Sequence, residues 1–189
     1  MSLNTPDGPA QGPGLVSQAV EDLQPPKRLG RDLFRSRPRP AASRPLAIYR
    51  LDVADLALAS PLVRAQAVGW RYVVRQGAEA FTVDLAGAEP DELRFHALRR
   101  GDRAARLLKA CEVAQTLAGP RRDYEVRVLG IPPLRLEALW LKGKADDRFV
   151  RLKAPTQPEI EPFDLLETAR GMTSRRAAAQ RSEAPDVGG

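Results

Sequence analysis

The chain has 189 residues, 43% apolar and 29% charged, with a formal net charge of +6, which suits one ordinary domain with length to spare. One cysteine, Cys111, and one histidine, His96, exclude an intramolecular disulfide, a multi-cysteine metal site and a His/His/carboxylate zinc site. No stretch approaches the ~18 apolar residues of a membrane span and no basic-then-apolar leader opens the chain, so the expectation is a cytoplasmic protein with no membrane partner.

Residues 1–45 hold eight of the 17 prolines, and Pro25, Pro26, Pro38, Pro40 and Pro45 break any run that could become a helix or a central strand. Residues 1–22 carry −3 and residues 23–45 carry +6, the densest basic charge in the chain. This stretch predicts a disordered, Pro/Arg-rich basic arm. Two apolar islands interrupt it: Leu15, Val16, Ala19, Val20 and Leu23 share one face of a potential short helix, and Leu33-Phe34 sits inside "DLFR". Arg outnumbers Lys 25 to 5, a bias that the codon usage of a GC-rich bacterial genome produces as readily as phosphate recognition does.

The pattern turns β-rich at Leu46. "LAIYRLDV" (46–53) reads as the opening strand, and "GWRYVV" (69–74) and "AFTVDLA" (80–86) as a hairpin around "RQGAE". Between them, "DLALASPLVRAQAV" reads as a short helix or a turn and helix with Pro61 in its first turn. In "LRFHAL" (93–98), Leu93, Phe95 and Ala97 alternate with Arg94 and His96, a half-buried strand with His96 on its polar side.

Gly101-Asp102 supplies a break and an N-cap, and a helix is expected from about Arg103 to Ala118, stopped by Gly119-Pro120. Its apolar face carries Ala104, Leu107, Leu108, Cys111, Ala114 and Ala118, so Cys111 is expected to be buried. Arg103, Arg106 and Lys109 form a basic stripe beside that face.

Three further strands follow, "YEVRVLG" (124–130), "LRLEALWLKG" (134–143) and "RFVRLK" (148–153), the last two as a hairpin. "FDLLETARG" (163–171) reads as a short amphipathic helix closed by Gly171, with a frayed tail from Thr173. The expected architecture is an α+β domain over 46–154, mostly antiparallel sheet with one principal packed helix. A disordered N-terminal arm over 1–45 precedes it, and a short helix and tail over 155–189 follow.

A catalytic Cys–His pair needs a partly exposed thiol and an imidazole within reach, whereas here the thiol faces a core and the imidazole faces solvent. Phosphate-loop, dinucleotide-loop and Gly-x-Ser-x-Gly motifs are absent, and nothing in the pattern requires a cofactor or metal. Carboxylate chemistry by Asp146-Asp147, or by Asp52 and Asp55, would require a concave pocket; Asp146-Asp147 reads as a turn. "RGD" (100–102) lies at a helix start and has no context for integrin binding. Trp70, Tyr72 and Trp140 read as core.

The leading functional expectation is therefore a non-catalytic adaptor or accessory protein. It binds an unidentified protein partner through the α+β domain and through a linear motif in the arm. Leu33 and Phe34 would enter a groove while Arg31, Arg35, Arg37 and Arg39 pair with acids at its rim. The alternative is a nucleic-acid-associated protein that places Lys27, Arg28 and Arg44, with the other arm arginines, on phosphates, aided by Arg103, Arg106 and Lys109.

Overall fold

The computed structural model describes residues 4–23, 41–43, 45–76, 79–119, 123–153 and 159–182. The first helix, α1, spans Gly12–Asp22, and a two-residue strand, β1 (Ala41–Ala42), follows. The aliphatic and aromatic runs from Leu46 onward become β2 (Leu46–Arg50), β3 (Gln66–Gln76), β4 (Glu79–Ala86) and β5 (Arg94–Arg99). After α2 (Asp102–Ala118) come β6 (Glu125–Ile131), β7 (Leu136–Lys142), β8 (Asp147–Lys153) and α3 (Leu165–Ser182).

These elements form an α+β fold on one mostly antiparallel sheet in the order β5-β4-β3-β2-β6-β7-β8, with β1 paired to β3. Two meanders, β2 to β5 and β6 to β8, meet at the parallel pair β2–β6. Helix α2 carries the chain from the β5 edge back to the centre. It touches β4 near one edge and β7 and β8 at the other, so the sheet curls around it.

Because the central strands are covered on both sides, their alternation separates two cores rather than a core and a solvent face. On one side Leu107, Ala110, Ala114 and Ala118 of α2 pack on Val73, Val126, Val128, Leu139, Leu141, Val150 and Leu152. On the other side two clusters lie next to each other. Leu165 and Ala169 of α3 cover Leu129, Ile131, Ala138, Trp140 and Phe149, while Val16 and Val20 of α1 cover Tyr72, Val74, Phe81, Val83 and Leu85. Burying each such aliphatic or aromatic side chain contributes about 1.5–3 kcal/mol.

The sheet edges are managed differently. At β8 the segment after the strand returns along it, with Arg151 N–H donating to the Glu161 carbonyl (2.9 Å) and Phe163 N–H to that of Phe149 (3.2 Å). At β5 the register slips between Asp84 and Leu85, so His96 is the extra residue of a bulge. That bulge breaks the expected alternation and leaves Phe95 41% exposed.

Four expectations are corrected. The 1–45 segment is not wholly a free arm, because α1 docks by Val16, Ala19 and Val20, each at most 6% exposed, and Asn4 bonds to both Tyr124 and Val126. Among the described residues, the expected single principal helix is one of three that pack on the sheet. The 55–68 stretch holds two short 3-10 turns, Ala54–Ala57 and Pro61–Arg64, because Pro61 cannot continue the first one. Gly171 does not end the last helix; α3 runs on to Ser182, held by Arg170 on the Leu56 and Leu58 carbonyls and by Arg176 on that of Pro133.

Candidate functional site

The motif residues of the arm, Arg31, Leu33, Phe34, Arg35, Arg37 and Arg39, lie outside the described residues, as do Lys27, Arg28 and Arg44. What the structure does place is both ends of the segment they occupy. Upstream is docked α1; downstream, β1 pairs Ala41 with Arg75 and Ala42 with Val74. Ser43 then locks to Val73, donating its N–H to the Val73 carbonyl (2.7 Å) and accepting the Val73 N–H at its Oγ (3.1 Å). Residues 24–40 are thus bounded on both sides by segments packed on the same sheet. The upstream apolar island, apart from Leu23, is used within the chain itself.

The basic stripe on α2 does not act as one surface. Arg103 Nη2 donates to both Glu137 oxygens (3.2 and 3.1 Å), and Arg106 Nε to the Leu152 carbonyl (3.0 Å), so both turn towards the sheet. Only Lys109 faces away, where it pairs with Glu112 one turn on. The three cations of the stripe therefore point in two directions.

Beneath Arg103 and Arg106 lies a buried ionic cluster. Arg71 of β3 stands opposite Asp84 of β4 in the ladder, and the pair is bidentate, Nε to Oδ1 at 2.7 Å and Nη2 to Oδ2 at 2.9 Å. Arg71 Nη1 donates to Glu137 Oε1 of β7 at 3.0 Å, and Arg99 of β5 stands 3.6 Å from Asp84 on its far side. Arg71 and Asp84 are each 4% exposed. Burial by itself would pull the Arg71 pKa down, but its hydrogen bonds to Asp84 and the charge of Glu137 outweigh it, so the net shift is upward and the guanidinium stays charged.

Between this floor and the first two turns of α2 is a cavity of about 280 Å³, lined by Arg71, Arg103, Arg106, Leu107, Glu137, Leu152 and Lys153. Helix α2 starts above it because Gly101, at φ 81°, turns the chain sharply off β5. Asp102 is the first helical residue rather than the expected cap, and Gly101, which has no side chain to make a capping bond, holds the cap position.

The remaining candidates have structural partners or none that chemistry could use. Cys111 is half-buried against the α2 core, and burial, reinforced by the charge of Glu112, pushes its thiol up to about 11, the opposite of an activated nucleophile. His96 is exposed in the β5 bulge. Asp146 is less solvated than a simple turn implies: the Tyr124 hydroxyl donates to it (2.9 Å) and so does Arg148 Nε (3.0 Å), while Arg148 Nη1 caps α2 at the Leu117 carbonyl (2.7 Å). Asp52 pairs with Arg50 on the surface. Tyr72 and Trp140 are core, as expected, and Trp70 packs half-buried on the α1 cluster.

Among the described residues no group of His, Cys, Asp and Glu could hold a metal ion, and no helix is long and apolar enough to cross a membrane. Sequence reasoning missed Arg71, Asp84 and Glu137. A usable signal was present for two of them, since a hairpin register that pairs Gln76 with Glu79 puts position 71 opposite 84. No protein-family model, no curated protein and no solved structure matches this chain.

Proposed function

We propose that this protein is a non-catalytic adaptor that binds a protein partner through the basic segment at residues 24–40, presented by the α+β domain. Leu33 and Phe34 enter a groove on the partner, and Arg31, Arg35, Arg37 and Arg39 pair with acids around it. The observation that supports this reading is the anchoring of the segment at both ends, by α1 on one side and by β1 and Ser43 on the other. Binding residues are commonly presented by a rigid scaffold, and here the scaffold fixes the chain on either side of the segment.

The test keeps the chain intact, because removing the N-terminus would also strip α1 from its cluster. Wild type and a Leu33→Ser/Phe34→Ser variant are used to capture partners from lysate with and without nuclease treatment. Any captured protein is then purified and titrated against each chain. A defined protein that binds wild type and loses about tenfold or more in affinity for the variant supports the reading. Equal binding by both chains sinks it, and recovery that disappears with nuclease transfers the segment to nucleic acid.

A further inference from the structure

The cavity under the first two turns of α2 has a composition that specifies a ligand. Four cations line it, Arg71, Arg103, Arg106 and Lys153, against the single carboxylate of Glu137, with Asp84 standing behind Arg71. The two carboxylates offset two of the four cations, so two positive charges remain in excess around a space whose other walls are Leu107 and Leu152.

The donors divide in the same way. Arg71 commits Nε, Nη1 and Nη2 to Asp84 and Glu137, which makes it a fixed floor. Arg103 bonds through Nη2 alone and Arg106 through Nε alone. Among the described residues, their other N–H groups and the exposed Lys153 ammonium have no protein partner.

We propose that this cavity binds a small phosphate monoester. A phosphoryl group carries about −1.5 to −2 at pH 7 and so matches the excess charge, where a monocarboxylate would leave one cation uncompensated. Its oxygens accept from the free guanidinium edges of Arg103 and Arg106, which offer planar, forked donors. Lys153 closes the mouth as a point charge, and the carbon body of the ester lies against Leu107 and Leu152. A volume of about 280 Å³ suits a molecule of about a dozen heavy atoms, just below the ~300–1,000 Å³ typical of ligand pockets.

The proposal is independent of the Leu33–Phe34 segment and is tested by calorimetric titration of the full chain with phenyl phosphate, using benzoate and inorganic phosphate as comparison probes. The expected result is saturable binding of one phenyl phosphate per chain, with both comparison probes about tenfold weaker. Arg106→Gln is expected to weaken it by about tenfold or more, and Lys153→Gln by about threefold. Lys153→Gln removes no contact within the described protein, so it carries the test if Arg106→Gln melts early. The proposal is overturned if wild type shows no saturable binding, if Lys153→Gln binds unchanged, or if benzoate or inorganic phosphate binds as tightly as phenyl phosphate.

Discussion

The two ends of α2 rest on very different floors. Its C-terminal half, Ala110, Ala114 and Ala118, lies on an apolar surface of Val126, Val128, Leu139, Leu141 and Val150, all buried together in one cluster. Its N-terminal half spans Arg71, Asp84 and Glu137, held apart from the sheet by the long side chains of Arg103 and Arg106. One helix therefore carries a structural end and a chemical end. The same alternation that makes one part of the sheet a core makes the other part a charged basin, and the second is the costlier arrangement to maintain, since every buried charge must be matched.

The largest expected effect comes from breaking that match. Arg71→Ala leaves Asp84 and Glu137 facing each other without their shared cation and is expected to cost about 3–5 kcal/mol, a fall in Tm of roughly 6–20 °C. Converting the basin to the apolar kind, with Arg71→Met and Asp84→Leu together, is expected to recover most or all of that loss. Thermal melts of both variants check it; a single-site loss below about 1 kcal/mol would mean the two floors are energetically alike.

A smaller effect is expected on the opposite face of the sheet. A Cβ at Gly12 would collide with the Tyr72 hydroxyl and come within 2.9 Å of its Cζ. Gly12→Ala is therefore expected to unseat the start of α1 at a cost of about 1–3 kcal/mol. Adding Tyr72→Phe removes the colliding oxygen, whose hydroxyl has no partner among the described residues, and is expected to restore part of the loss. Positive coupling in the double-mutant cycle is the readout.

The smallest effect belongs to Cys111 at the apolar end. With its thiol pushed up to about 11, it carries about 100-fold less thiolate at neutral pH than an ordinary cysteine near 9. Maleimide or disulfide-probe labelling at pH 8 is expected to be correspondingly slower in the native chain than in the unfolded one. Because the folded value lies above the unfolded value, the associated stability is fully present below the ordinary thiol range. It declines as pH rises towards 11. A Cys111→Ala chain is expected to lack that part of the alkaline decline, and native labelling as fast as in denaturant would refute the burial.

Much of this molecule is legible locally. The strands from 46 to 153 and the span of α2 follow from period-2 and period-3.6 patterning, broken at Gly101 and Gly119. Even the Arg71–Asp84 contact is latent in the register of one hairpin. The apolar face at Val16, Ala19 and Val20 is equally visible, but not its seat on this chain's own sheet, because Pro25, Pro26 and the basic run separate it from the domain. Likewise Gly171 looks like a stop, but Arg170 and Arg176 tie the helix on either side of it to distant carbonyls.

By itself, then, the sequence determined the main strands, the span of α2 and the apolar face of each, since those follow from chain geometry within a few neighbours. The tertiary structure alone decided what meets the other faces. Glu137 joins Arg71 and Arg103 across separations of 66 and 34 residues, contacts that exist only because α2 is laid over a curled sheet. A polar stripe is solvated or becomes the wall of a charged cavity according to what packs above it, and no local periodicity encodes that layer.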